Sequence, residues 1–452
     1  MIDGYLQQHS RKDRSFMPKG QELYNKAKKI IPGGTQLLSK RPEMFLPENW
    51  PAYYQKAKGC VIWDLDLHRY LDMSYMGIGT NLIGYADPDV DRAVKYAIAR
   101  GNSTTLNAPE EVELAELLIK LHPWAHSARF TRSGGEAMAV AVRIARAKSG
   151  RDKILFCGYH GWSDWYLAAN LADHEALDGH LLPGLKPKGV PRGLRGTALP
   201  FGYNDSTAFL ALCKKHRGEI GAVVMESIRN FSPKKDFLQA VRREATRLGA
   251  PLVVDEITAG WRLNLGGAHL ILGLKPDLAV FGKGMSNGYP MGAVIGRRAV
   301  MEAAQESFIS STYWTERIGP VAALATINKL RRRQVWRHLD KVGRMVQQGW
   351  RKSAERHGLS IEVGGIYPLS HFQFNEKEPL VYKTLFTQMM LEKGFLATTA
   401  FYASYAHRID LVKKYLLVTD EVFGRLAEIK KTGRPRHHLK GPVCQSGFAR
   451  LT

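Results

Sequence analysis

The feature that most constrains this chain is a series of short apolar runs, each ending on polar residues and separated from the next by a stretch with helical periodicity. Between about residues 75 and 330 the runs are ARFTRSG, KILFCG, AVVMES, LVVDEI, LAVFGK and GAVIG. Several are continuously apolar rather than alternating, as expected of strands buried on both faces. The intervening stretches, such as EAMAVAVRIARAKSG and FLQAVRREATRLGA, repeat apolar residues three and four positions apart, the spacing of one helix face. This alternation predicts an α/β fold, a mainly parallel sheet flanked by helices.

The ends of the chain read differently. VIWDLDLHRYLDMS alternates around a turn and predicts a hairpin. Beyond Leu330 a basic helical stretch, LRRRQVWRHLDKVGRMVQQGWRKSAERHG, leads to IEVGG, SHFQFN, a further helix and YLLVTDEVFGRLAEIKK. At 452 residues the chain exceeds what one core usually organises. Three parts are expected: residues 1–74 joining a small domain, a large domain over 75–330, and a small α+β domain over 331–452.

Hydrophobic residues at 44% and charged residues at 24% argue against extended disorder. No run approaches the roughly 18 apolar residues that span a bilayer, and MIDGYLQQHSRKDRSFMPKG has no apolar h-region, so the cytoplasm is the expected compartment. Cys60, Cys157, Cys213 and Cys444 lie too far apart for a zinc or disulfide pattern, as do His437 and His438 relative to Cys444. Reduced thiols and no metal are expected. The charge of +23 favours phosphorylated, carboxylated or polyanionic partners without choosing among them.

In open parallel sheets, ligands bind at the carboxyl ends of the strands. The residues there are Tyr159 and His160 after KILFCG, Glu226 ending AVVME, Asp255 ending LVVD, and Lys283 ending LAVFGK. Ser133, Gly134 and Gly135 follow ARFTR and open a helix, where backbone amides and the helix dipole suit a phosphate; such turns also occur without one. Lys283, between Gly282 and Gly284, has room for a planar group to reach its amine, and a buried lysine serves readily in Schiff-base chemistry. A lone lysine there could also simply snorkel, and Asp255 alone could be a turn cap. Taken together, a phosphate turn, an acid and a lysine supply the three handles of pyridoxal 5'-phosphate.

These segments resemble the class III aminotransferases of the pyridoxal-phosphate fold type I superfamily, particularly the glutamate-1-semialdehyde aminomutase branch. The resemblance runs from IIPGGTQLLSKR through RSGGEAMAVAVRIARAKSGRDKI, CGYHGWSDW, LVVDEITAGWR and PDLAVFGKGMSNGYPMGAVIG to STYWTERIGP and GFLATTAFYASYAH. It implies that Lys283 holds the cofactor as a Schiff base and that Asp255 pairs with the ring nitrogen. It further implies that Tyr159 and Ile257 close the two ring faces, with His160 and Glu226 beside them. Ser133, Gly134 and Gly135 would bind the phosphate, although the family more often has Thr or Ser at Gly135. Ser227 replaces the proline that usually follows the glutamate.

Thr315 stands where such enzymes reach the phosphate of a neighbouring subunit, implying a homodimer with shared sites; it could also cap the following helix. Lys40 and Arg41 fall near the arginine that grips a substrate carboxylate in the aminomutase, within a motif that departs from that branch. The activity implied is amino transfer between an amine or amino acid and an aldehyde or ketone, or its intramolecular aminomutase form. Racemases and decarboxylases share the scaffold. The alternative is a nucleic-acid-binding or regulatory protein on a retired enzyme fold, prompted by the charge and by Arg331, Arg332 and Arg333.

Overall fold

The computed structural model describes residues 17–180 and 183–448. Residues 1–16, on which the expectation of no signal sequence largely rests, lie outside the described residues, as does the end of the tail, 449–452. The expected hairpin forms as β2 (Val61–Asp64) against β3 (Arg69–Asp72), with β1 (Tyr54–Lys58) on its other side.

The large sheet holds β4 (Ser127–Thr131), β5 (Lys153–Cys157), β6 (Ala198–Pro200), β7 (Ile220–Glu226), β8 (Leu252–Asp255), β9 (Leu278–Phe281) and β10 (Gly292–Gly296). Their spatial order is β4-β10-β9-β8-β7-β5-β6. Every pair from β9 to β6 is parallel, and β10 runs antiparallel to both of its neighbours. β7, β8, β9 and β10 are buried at every position, which is why their sequences are continuously apolar apart from the acids that end β7 and β8. β6 gave no signal in the sequence: it is three residues long, sits at the sheet edge and ends on Pro200, where a missing N–H costs no ladder bond.

A second sheet contains β11 (Ile361–Gly364), β12 (Leu369–Phe374) and β14 (Ala400–Tyr402). β13 (Phe395–Leu396) instead pairs parallel with β3, so the N-terminal hairpin and the C-terminal segment share one sheet. Helices Val335–His357, Pro379–Glu392 and Ile409–Lys431 cover β12. Between them Phe372 meets the rings of Trp350, Phe386 and Phe423 at centroid distances of 4.8, 5.4 and 5.8 Å. Gly343 lets the first of these helices press on the chain at Tyr367, since a Cβ at 343 would lie 1.9 Å from the Tyr367 carbonyl oxygen.

Because β5, β7, β8 and β9 are parallel, Tyr159, Glu226, Asp255 and Lys283 all emerge at one edge of the sheet. That placement follows from chain direction and strand order alone.

Candidate active site

Lys283 leaves β9 at φ +40° and begins a short 3₁₀ turn, Lys283–Ser286. Its Nζ donates to Thr258 Oγ1 at 2.7 Å. Burial pushes its ammonium down from 10.5 to about 8; the nearby Arg229 guanidinium adds to this, while the Asp255 and Glu226 carboxylates pull the other way. The flanking glycines serve packing: a Cβ at Gly284 would lie 2.4 Å from Leu82 Cδ1, and one at Gly282 3.5 Å from Ile257 Cγ2. Leu82 therefore takes the room that the sequence left beside the lysine at Gly284.

Asp255 is 4% exposed. One carboxylate oxygen accepts from the Ile257 amide at 2.9 Å, and the other lies 2.8 Å from Nδ1 of the buried His160. Nε2 of His160 lies 3.0 Å from the Cys157 carbonyl, which can only accept. The two contacts of the ring, one to Asp255 and one to the Cys157 carbonyl, hold the His160 imidazole against the carboxylate.

Glu226 is buried beside this pair. It accepts from the Tyr159 amide at 3.2 Å and from Arg229 at 3.0 Å. Burial raises the Tyr159 phenol above its ordinary value, with Arg229 opposing. Gly158 is required next to it, because its φ is +106° and a Cβ would lie 2.7 Å from Glu226 Oε2. Ser227, in the place usually held by proline, donates its hydroxyl to Glu256 at 2.9 Å. That carboxylate, fully buried, also accepts from the Ala268 and His269 amides and from His269 Nδ1. Trp124 donates to His269 Nε2 at 3.0 Å, which fixes the His269 proton on Nδ1.

Ser133 is the N-cap of helix Gly134–Ser149 and forms a capping box with Glu136: its hydroxyl accepts from the Glu136 amide, and the Glu136 carboxylate accepts from the Ser133 amide. Among the described residues no acceptor takes the amides of Gly134 or Gly135. A Cβ at Gly135 would lie 2.9 Å from Trp162 Nε1, and one at Gly134 3.0 Å from Ile257 Cδ1. The glycine that departs from the family pattern at 135 thus accommodates Trp162. Ile257 touches the helix turn while its own amide holds Asp255, which joins three segments of the site.

Thr315 is exposed, and its hydroxyl donates to the Thr312 carbonyl. It is not a helix cap. Helix Ile318–Arg333 begins after Arg317, and the Glu316 carboxylate accepts from the Ile318 and Gly319 amides at 2.6 and 2.8 Å; the longer acid reaches the open amides from a position closer to them. Lys40 lines a cavity with Tyr75, Ile78 and Asn287, whereas Arg41 packs over the Phe448 ring and against Gly33. Thr258, Arg229 and Arg262 were not singled out in the sequence. Arg262 is 1% exposed, with Nε on the Thr258 carbonyl at 2.6 Å and one terminal nitrogen on the Gly79 carbonyl. Burial lowers it to about 10, reinforced by Arg229 and opposed by Tyr402.

A buried lysine amine of lowered basicity, a buried carboxylate paired with a histidine, and two open amides at a glycine cradle fit the aldehyde, ring nitrogen and phosphate of pyridoxal phosphate. On this fold they mark a fold type I pyridoxal-phosphate enzyme. The profile of the family described as Aminotransferase class-III matches residues 47–422, and the chain belongs to that family. The chain is 32% identical over 434 residues to glutamate-1-semialdehyde 2,1-aminomutase of Nitrosomonas europaea, covering 90% of this chain and 97% of that protein. It is 33% identical over 328 residues to 2'-deamino-2'-hydroxyneamine transaminase of Streptomyces kanamyceticus, covering 72% and 79%. Among solved structures, the FumI protein of Sphingopyxis sp. MTA144, in its PLP internal aldimine form, superposes with a TM-score of 0.82 at 26% identity over 91% of this chain and 97% of that one.

The protein is accordingly a pyridoxal-phosphate-dependent enzyme of amino-group transfer acting on small molecules. The nucleic-acid alternative gains no support from these matches. Among the described residues no helix is long and apolar enough to cross a membrane.

Proposed function

We propose that this chain moves an amino group between an amine or amino acid and an aldehyde or ketone, with Lys283 both holding the cofactor and moving the proton. The observation that carries this reading is the Lys283 amine, held by Thr258 and brought to about 8 by burial, at the strand edge that also presents Asp255. Pyridoxal phosphate, when bound, supplies an electron sink for the amine-bearing carbon. A lysine of this basicity accepts a proton from that carbon and returns it near neutral pH.

Asp255, oriented by His160 and the Ile257 amide, is the partner for a protonated ring nitrogen. Tyr159 and Ile257 would close the two ring faces, and Glu226 fixes Tyr159 through its backbone amide. The Ser133–Gly135 turn would take the phosphate on its open amides.

In the same reading two copies form a dimer. Phe308 and Tyr313 are 86% and 71% exposed on the segment that carries Thr315. That segment is tied to the phosphate turn by Arg132, which bonds the Glu316 carboxylate and carbonyl. A second copy would cover these rings and receive Thr315 at its own phosphate. Four buried free thiols fit a reducing compartment, and the cytoplasm is proposed.

The test is the visible spectrum with added pyridoxal phosphate, followed by borohydride reduction and peptide mapping. The expected result is a lysine-linked absorption band, label on Lys283, and loss of both in Lys283→Ala. A folded protein with excess cofactor and no such band refutes the reading. Titration with glutamate, alanine, diamines, a neamine-series amine and glutamate 1-semialdehyde then identifies the donor. Because the relatives include both an aminomutase and a transaminase, release of a keto product from one donor alone assigns the chain to the transaminases.

A further inference from the structure

A cavity of about 760 Å³ reaches Asn287, Gly288 and Tyr289, just past the Lys283 turn, and its size is within the range of sites that enclose whole small molecules. Its floor includes Gly77 and Ile78 of the turn Met76–Gly79, where four successive residues have φ of 43°, 66°, 59° and 80°. Ile78 in that conformation is strained, because a β-branched side chain crowds the backbone there. The turn is held by its neighbours. The Gly79 amide donates to the Tyr75 carbonyl at 2.6 Å, and the Gly79 carbonyl accepts from the buried Arg262. Arg262 also bonds the carbonyl of Thr258, whose hydroxyl holds Lys283. The cavity floor and the lysine are thus joined through one arginine.

The walls combine two chemistries. Phe45 and Trp50 stack at 4.7 Å and 11°, with Tyr75 edge-on to Phe45 at 5.8 Å. The same lining carries Asp64, Asp72 and Asp91, with Lys40 as its one cation among the described residues. In a chain of charge +23 the polarity here is inverted. The acids are held by neutral donors and a histidine: Asp72 by Ser74 and Tyr85, Asp91 by Tyr289, and Asp64 by backbone amides, His68 and Tyr70. Among the described residues no lysine or arginine pairs with any of the three.

A dicarboxylic substrate would meet three like charges against one lysine. A plain hydrocarbon amine would desolvate carboxylates without returning hydrogen bonds. A polyhydroxylated ring satisfies both walls: its C–H face lies on aromatic rings, its hydroxyls donate to the acids, and any further ammonium is attracted to both. We propose that this cavity seats the body of the substrate, and that the substrate is a polyhydroxylated ring, a sugar or an aminocyclitol, presenting its amino or carbonyl carbon to Lys283. The inference rests on the catalytic reading of Lys283.

The probes are 2-deoxystreptamine and cis-1,3-diaminocyclohexane, the same diamino ring with and without hydroxyls, titrated by tryptophan fluorescence and calorimetry into the cofactor-loaded enzyme and into Lys283→Ala. The hydroxylated ring is expected to bind at least ten-fold more tightly in both forms. Asp72→Asn and Tyr54→Ala should each weaken it by about ten-fold; Tyr54 lines the cavity yet is 64% exposed, so its loss leaves folding intact. Equal binding of the two amines, or unchanged binding in both variants, overturns the proposal. The lysine-linked absorption band separates the two claims: band present with no preference for the hydroxylated ring sinks only the substrate class, whereas band absent sinks the reading beneath it.

Discussion

Replacing Lys283 by methionine keeps the unbranched side chain up to the ε position and removes a charge that the fold holds at a cost. In the unfolded chain the amine ionises near 10.5, and in the folded protein near 8. Below pH 8 both states are protonated and the folded state bears the full cost of keeping an ammonium in the site. Between 8 and 10.5 the folded lysine has lost its proton while the unfolded one retains it, so stability rises with pH. Above 10.5 both are neutral and the cost is gone. The interval between the two values corresponds to about 3 kcal/mol. The cofactor-free Met variant should therefore melt above the parent at pH 7, by roughly 3–5 °C for a chain of this size, and the gap should close as pH approaches 10.5. Scanning calorimetry of both proteins at pH 7, 9 and 10.5 reads this directly. A gap that does not change with pH would refute the reasoning, because packing alone would then explain it; no gap at pH 7 would show that the lysine is not destabilised by its surroundings.

Asp255→Asn should leave the melting temperature within a few degrees and lower turnover about a hundred-fold or more, since an amide cannot hold a proton on the ring nitrogen; steady-state rates with one donor and acceptor pair check it. Ser227→Ala removes one of four donors to the buried Glu256 carboxylate and should cost about 1–2 kcal/mol, measured by chemical denaturation. Gly343→Ala places a methyl 1.9 Å from the Tyr367 carbonyl, so the helix must move off the small sheet; a loss above about 3 kcal/mol is expected, seen as a sharp drop in soluble yield or melting temperature.

The residues most legible in the sequence were those tied to strand ends. Lys283, Asp255 and Glu226 could be located because apolar runs stop at them, and a parallel sheet puts its carboxyl ends on one edge. Ser133 was legible as a helix start, since a serine three residues before a glutamate caps locally. β6 escaped because three residues carry no periodicity. Thr315 was open to reading as a cap because its hydroxyl and Glu316 are adjacent in sequence, and only the backbone path shows that the acid reaches the amides first.

The chain by itself therefore determined the fold class, the family and the residues at the strand ends, because each depends on neighbours a few positions away. Tertiary structure decided that Thr258 holds the lysine, that His160 closes on Asp255, that Trp162 fills the space above Gly135, and that Arg262 locks the turn at Gly79. These partners are separated by up to 183 positions. No local pattern encodes such contacts, since they come into being only when the sheet order and the packing of the loops bring distant side chains together.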